Sequence, residues 1–170
     1  MNSFVKDLLA YSSTGIEEIL KEKVTIQEMV DEIAALQKSV LNEKYAVILY
    51  ENLPTVVAHK TPRALVLQNL IINAVKYQPT KSIPTVTMTA EDKKDYWQFA
   101  VKDNVIGIEE QYLFKIFDLF KRLHVYGEYS RTGMGLATCK KTVQQHGNIR
   151  ATSIVGEGST FYFTVTKLMT

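Results

Sequence analysis

The stretch Gln68–Tyr77 reads as an apolar helix that carries polar side chains at helical spacing. At about 100° per residue, Asn69, Asn73 and Lys76 fall on one side of this helix, and Tyr77 lies at the margin of that side. Amides and an ammonium on such a helix are costly to bury unless something pairs with them. Because amide oxygens can ligate a hard cation and a lysine can meet a phosphate oxygen, the stripe fits a site for a metal ion and a phosphate. The alternative is a helix whose polar face simply meets water.

A second candidate is the carboxylate of Asp103, which stands at the end of a predicted strand. A polar turn that contains Gly107 follows it. A carboxylate in this position can accept hydrogen bonds from an amino group in an apolar pocket. Asp, Asn and Gly are also ordinary turn residues, so this pattern alone leaves open a plain exit from a hairpin.

Two glycine-rich segments lie further along the chain. Arg131–Ala137 opens a predicted helix, where free backbone N–H groups can bind an anion and glycines let the backbone approach a phosphate. A flexible loop with a helix start is the alternative, since the segment lacks the lysine of a Walker loop and does not follow a strand as a Rossmann fingerprint does. Gly156–Phe161 joins two terminal strands and taken alone is only a hairpin.

Composition narrows the class of protein. The chain has 170 residues, of which 46% are hydrophobic and 22% charged, as in one ordinary globular domain. A net charge of +2 gives no basic footprint, so we expect no nucleic-acid partner. There is no apolar run long enough to cross a bilayer and no signal-peptide pattern, so we expect a cytoplasmic protein without direct membrane contact. The single cysteine, Cys139, excludes an internal disulfide.

Hydrophobic periodicity predicts the elements that position these residues. A short strand at 24–26 runs into a helix whose Thr25 and Glu28 have capping-box spacing. The polar helix begins with Thr61 as N-cap and Pro62 at its first position. Further strands are predicted at 45–51, 55–58, 84–90, 96–101, 149–155 and 160–166, and a further helix at 133–145. This order predicts an α+β two-layer α/β sandwich, with a mixed, mostly antiparallel sheet covered on one face by helices.

The order and spacing of these motifs resemble the catalytic ATP-binding domain of two-component sensor histidine kinases. Within that family, the resemblance is to the phytochrome-like members. The resemblance covers about 7–165 and implies the Bergerat fold. Its N box matches Asn69–Tyr77, its G1 box 103–108, its F box 116–124, its G2 box 133–137 and its last glycine box 156–161. The opening residues resemble the end of a dimerisation helix, so we expect residues 1–20 to be a remnant of that helix and 21–170 to be the catalytic domain.

The resemblance implies a role for each matched residue. Asn73 ligates Mg²⁺ between the phosphates, Asn69 supports it and Lys76 meets the phosphates. Arg122 reaches the γ-phosphate from a lid loop, and Asp103 accepts from the adenine amino group. The remaining nucleotide contacts are Tyr77, Gly107, Ile108, Phe120, Gly133, Gly135, Leu136 and Thr160, the last of them near the adenine.

The chain departs from the family pattern at three places. Val105 stands where the family has its first G1 glycine; a branched side chain there disfavours positive φ and crowds the adenine pocket, so Val105→Gly is predicted to raise nucleotide affinity. Arg131 replaces a glycine of the lid, and Asn148 replaces one after His146. None of the three histidines has the family's acceptor setting, so the chain alone is not expected to autophosphorylate.

These observations predict a protein-histidine kinase fragment that binds Mg-ATP and passes the γ-phosphate to a histidine on a dimerisation helix outside it. A response regulator would receive the phosphate next, and the fragment itself is expected to be monomeric. Two alternatives stay open. One is a degenerate domain that binds little or no ATP and acts as a protein-interaction module. The other is an anti-sigma-factor kinase that phosphorylates serine. Whether the parent protein is membrane-anchored is left open.

Overall fold

The computed structural model describes Val5 and residues 21–76, 82–118, 135–144 and 147–167. Its main sheet has five strands in the order β2-β4-β5-β7-β6. The strands and helices, in chain order, are β1 Glu22–Thr25, α1 Ile26–Leu36, α2 Lys38–Glu43, β2 Val47–Tyr50, β3 Thr55–Ala58, α3 Lys60–Lys76, β4 Thr85–Asp92, β5 Tyr96–Asp103, a 3₁₀ turn Glu110–Tyr112, α4 Gly135–Gln144, β6 Ile149–Ile154 and β7 Gly158–Thr166.

One face of the main sheet carries the core. Alternate residues of β5 and β7 point inward, and Phe99 and Phe163 stack there with ring centroids 5.1 Å apart. The helix α3 packs against β4 and β5, α4 packs against β6 and β7, and α1 packs against α3. The predicted α+β two-layer sandwich, with helices on one face, is therefore confirmed.

The pairing of the strands is mixed, as expected. Within the main sheet β2 and β4 are parallel, and the other three neighbouring pairs are antiparallel. The predicted hairpins are both present, β4–β5 with Lys94 at a positive φ of 76° in its turn and β6–β7 with Gly156 at 85°. A separate two-stranded sheet pairs β1 with β3, which the sequence patterns did not indicate.

Two predicted helix starts differ from the structure. Thr25 is the N-cap of α1, but its side chain makes no capping bond, and its hydroxyl lies 3.2 Å from that of Thr55 across the small sheet. The capping box predicted from the Thr25–Glu28 spacing is thus wrong, because the strand pair uses the hydroxyl. The helix α3 begins at Lys60, with the N–H of Arg63 donating to the carbonyl of His59, so Thr61 lies inside the helix and is not its N-cap.

No helix among the described residues is long and apolar enough to cross a membrane. The predicted remnant helix at 1–20 lies outside the described residues except for Val5, and the lid loop around Arg131 lies outside them entirely.

Candidate functional site

The polar stripe lies on α3 as the helical spacing predicted. Asn69 is half-buried, Asn73 is 5% exposed and Lys76 is exposed in the last turn. The opposite side of the helix belongs to the core, where Leu67, Leu70, Ile71 and Ala74 are all buried. The stripe is therefore a polar border on a helix that is otherwise fixed by apolar packing.

The amide of Asn73 has an unusual state. Its Oδ1 is buried and has no hydrogen-bond partner. A buried acceptor without a partner costs about 1–3 kcal/mol, which a well-packed helix does not ordinarily tolerate unless a ligand satisfies the atom. An amide oxygen is a suitable ligand for a hard cation, so this atom fits the Mg²⁺ role expected of it.

Asp103 ends β5 on the inner face of the sheet and is 4% exposed. Its Oδ1 accepts hydrogen bonds from the N–H groups of Val105 at 3.1 Å and of Ser159 at 2.9 Å. Burial raises the pKa of Asp103 to about 6, although both N–H donors act in the opposite direction. Both bonds use Oδ1, so Oδ2 is the oxygen that can accept from a ligand's amino group.

The turn after Asp103 is fixed from both sides. The side chain of Asn104 accepts from the N–H of Thr85 at 2.8 Å and donates to the carbonyl of Ile83 at 2.9 Å. These bonds join the turn to the chain that enters β4, only nine residues after Lys76 ends α3. The end of the polar helix and Asp103 are thereby connected through a short stretch of chain.

The backbone at Val105 does not have the positive φ that a glycine at this position would permit. The described residues with positive φ do not include it, and its side chain is buried with 7% exposed. The turn thus avoids the conformation that a branched residue disfavours, and the N–H of Val105 donates to Asp103. The predicted crowding of the adenine pocket stays a prediction. Any gain in affinity in Val105→Gly would have to come from space alone.

Gly107 is required by packing between chain segments. Its φ is 82°, and a Cβ there would lie 2.4 Å from the carbonyl oxygen of Ile154. The N–H of Gly156 donates to the carbonyl of Ile106 at 2.8 Å, and a Cβ on Gly158 would lie 2.1 Å from the carbonyl oxygen of Asp103. The β6–β7 turn, a plain hairpin by sequence, is thus pressed against the Asp103 turn. The nucleotide contact predicted for Gly107 stays a prediction.

Thr160 does not share the site of Asp103. It pairs with Lys102 and Thr152, whose exposed side chains lie on the outer face of the sheet. Ser159 is the inward residue, 2% exposed, and its N–H contacts Asp103. Thr160 was expected near the adenine, but the residue of β7 that reaches Asp103 is its neighbour Ser159. The inward alternation of Phe161 and Phe163 could have shown this, since residues two apart share a face.

A hydroxyl pair next to Asp103 was missed by the sequence patterns. Ser153 Oγ lies 2.8 Å from Ser159 Oγ, accepts from the N–H of Ile108 at 2.7 Å and donates to the carbonyl of Gly158 at 2.9 Å. The N–H of Ile108, a residue expected to contact the nucleotide, is therefore committed to Ser153.

The helix α4 begins at Gly135, the second glycine of the predicted phosphate loop, and packs against α3. Leu136 is partly buried against the core. The other residues assigned to the nucleotide lie outside the described residues, namely Tyr77, Phe120, Arg122 and Gly133. Among the described residues, the polar helix, the strand that ends at Asp103 and the start of α4 therefore pack on the same core.

Arg63 is a buried cation that the sequence reasoning did not notice. It is 3% exposed, and neither Nε nor Nη1 has a hydrogen-bond partner. Burial lowers the pKa of its guanidinium. At helical spacing it falls on the side of Leu67 and Leu70 and away from the polar stripe. Arg63 therefore costs the fold free energy and takes no evident part in the site.

Residues 60–168 match the family described as histidine kinase-, DNA gyrase B- and HSP90-like ATPase. The chain belongs to this family. It is 40% identical over 97% of its length to cyanobacterial phytochrome A of Nostoc sp. strain PCC 7120, and that match covers 22% of the relative. The chain thus spans about a fifth of the length of this curated relative.

Solved structures show the same fold. Full-length ShkA in complex with AMPPNP superposes with a TM-score of 0.81 at 24% identity, covering 99% of this chain and 36% of ShkA. The histidine kinase ThkA in complex with the response regulator TrrA gives a TM-score of 0.73 at 24% identity, covering 98% of this chain and 47% of ThkA. The resemblance to sensor histidine kinase catalytic domains is confirmed, and the chain is an ATP-binding catalytic domain of this class.

Proposed function

We propose that this domain binds Mg-ATP and transfers the γ-phosphate to a histidine on a dimerisation helix outside residues 21–170. The observation that carries the proposal is the hydrogen bonding of the buried Asp103 carboxylate. One of its oxygens is held by two backbone N–H groups, which leaves the other to accept from a donor such as the adenine 6-amino group. A pocket that bound only apolar groups would gain nothing from a buried carboxylate at this position.

The polar helix supplies the other end of the site. The unpartnered Oδ1 of Asn73 supports a role as Mg²⁺ ligand, with Asn69 one turn before it. Lys76, in the last turn, is proposed to meet the phosphates. Bound Mg²⁺ would neutralise charge on the phosphates. The phosphate contacts of Arg122, Gly133 and Gly135 and the base contacts of Tyr77 and Phe120 complete the proposal. In this proposal Ser159 takes the position near the adenine that was expected for Thr160.

The amide at Asn69 favours transfer over hydrolysis. A water nucleophile needs a general base, and a side-chain amide cannot accept the proton. Phosphoryl transfer to an imidazole depends mainly on positioning and charge neutralisation, both of which this site offers. The acceptor is then a histidine of the parent kinase, and a response regulator follows it, as ThkA is seen with TrrA. The domain is proposed to act in the cytoplasm and to be monomeric by itself.

Calorimetric titration of the chain with AMPPNP, with and without Mg²⁺, tests the nucleotide site. Binding should strengthen with Mg²⁺, and Asn73→Ala should remove the Mg²⁺ effect. Asn42→Ala, at an exposed position on α2, is the matched control and should bind as the parent does. Absence of heat and of thermal stabilisation at millimolar nucleotide would reject the proposal in favour of the degenerate interaction module.

The transfer step needs a separate assay. With γ-labelled ATP, the chain alone should stay unlabelled, and addition of the parent's dimerisation helices should place an acid-labile label on their histidine. Label on this chain alone, or phosphoserine on a partner, would contradict the proposed reaction.

A further inference from the structure

Ser153 occupies a connecting position in the fold. It is the third inward residue of β6, after Ile149 and Ala151, where a strand beside a core would ordinarily continue with an apolar side chain. Its hydroxyl instead makes three contacts to two segments, to Ile108 at the end of the Asp103 turn and to Gly158 and Ser159 at the start of β7. Both segments lie beside Asp103.

The hydroxyl hydrogens of Ser153 and Ser159 can be assigned from their hydrogen-bond partners. A serine hydroxyl has one hydrogen and two lone pairs. The hydrogen of Ser153 goes to the carbonyl of Gly158, which can only accept, and one lone pair takes the N–H of Ile108. All three contacts of Ser153 are hydrogen bonds together only when Ser159 donates and Ser153 accepts across the 2.8 Å contact, and we adopt this assignment.

This arrangement determines what Ser159 can do. Because its hydrogen is committed to Ser153, the Ser159 hydroxyl has only lone pairs for any other partner. Its backbone N–H is likewise committed, to Oδ1 of Asp103. The remaining capacity of this end of the site, Oδ2 of Asp103 and the lone pairs of Ser159, is entirely that of an acceptor.

We propose that Ser153 is a positioning residue for base selection, which by holding the Ser159 proton makes this end of the site accept a purine 6-amino group and disfavour a 6-keto group. The inference rests on the proposed nucleotide function. It adds the residue that makes this end of the site accept hydrogen bonds and not donate them. Ser153 acts through Ser159 and the turn and does not itself need to touch the base.

The test compares ADP with inosine diphosphate, which carries a keto oxygen in place of the 6-amino group and a hydrogen on N1. In Ser153→Ala the Ser159 hydrogen is released and can donate to that oxygen. We expect ADP affinity to fall about tenfold, the worth of one or two hydrogen bonds, and inosine diphosphate affinity to fall less, so that the preference for ADP narrows. Ser153→Thr keeps the hydroxyl and should restore the preference. Thr152→Ala, the exposed neighbour on β6, is the control and should change neither affinity.

Calorimetry of both nucleotides, with thermal unfolding of each variant to confirm folding, separates the outcomes. An unchanged preference in Ser153→Ala, or an equal loss for both nucleotides, overturns the inference while leaving the nucleotide function intact. Failure of the parent chain to bind ADP rejects the proposed function and this inference together. If Ser153→Ala does not fold, Ser159→Ala decides, since removal of the oriented hydroxyl should narrow the preference and an unchanged preference would again overturn the inference.

Discussion

Replacement of Asp103 by asparagine should stabilise the unliganded domain while it weakens nucleotide binding. The carboxylate is buried, and its pKa rises from 3.8 to about 6 in the folded chain. At 1.36 kcal/mol per pKa unit, a shift of about 2 units corresponds to about 3 kcal/mol that the ionised form costs the native state. The two N–H donors are already included in that shift, and an asparagine Oδ1 can still accept from both.

The sign of the pH dependence follows from linkage. The folded-state pKa lies above the unfolded value, so the penalty is fully present above about pH 6 and fades as pH falls through 6 toward 4. The stability of Asp103→Asn minus that of the parent should therefore be largest at pH 7.5 and fall by about 2.5 kcal/mol by pH 4. Other titrating groups, such as Asp92 with its lowered pKa beside Lys167, are common to both proteins and cancel in the difference.

Urea unfolding of both proteins at closely spaced pH values measures this difference curve. Calorimetry with AMPPNP at pH 7.5 should show at least a tenfold weaker affinity for the variant, because the asparagine Nδ2 donates where Oδ2 accepted. In the parent, affinity should also decline below about pH 6 as Asp103 is protonated. A stability difference that stays flat from pH 4 to 8 would refute the account of Asp103 as a buried, destabilising carboxylate.

Substitutions at four other positions have expected outcomes of their own. Arg63→Met should raise the free energy of unfolding in urea by about 2 kcal/mol, since it removes a buried cation whose Nε and Nη1 have no hydrogen-bond partner. A loss of stability would show that the guanidinium has a stabilising acceptor. Gly107→Ala should lower the stability measured by thermal unfolding by about 3 kcal/mol. Gly156→Ala has nearly the same φ but nothing within 4 Å of the added Cβ, so it should lower stability by only about 1 kcal/mol. Equal losses would mean that backbone conformation alone, and not contact with Ile154, requires the glycine. Asn73→Ala should leave unfolding within about 1 kcal/mol of the parent but abolish the Mg²⁺ dependence of nucleotide binding, and retention of that dependence would assign the metal elsewhere.

Local periodicity was sufficient for most of the fold. The strand alternation of β4 to β7 and the polar stripe of α3 both depend on near neighbours in sequence, and both appear in the structure close to the predicted bounds. The same alternation places Ser159, two residues before Phe161, on the inner face of the sheet. The pairing of β1 with β3 and the parallel pairing of β2 with β4 could not be inferred, because no local pattern specifies which distant strand is the partner.

The site was predicted less completely for the same physical reason. Gly107 matters through a backbone contact with Ile154, and Ser153 through bonds to Ile108 and Gly158, so each role depends on segments brought together by the whole sheet. Arg63 at a core position contradicts the helical pattern around it, and only the burial of its guanidinium makes that visible.

The close approach of Gly158 to the carbonyl of Asp103 also sets an order of events during folding. Asp103 precedes β7 in the chain, so one of its two N–H donors and the Ser159 hydroxyl arrive only with β7, the last of the described strands. Pairing of β7 with β5 joins residues distant in sequence and is expected to be a slow step. A nascent or truncated chain that ends before Gly158 would present an intact polar helix and an unfinished base site. Nucleotide binding would then report that the domain has been completed and folded to its final strand.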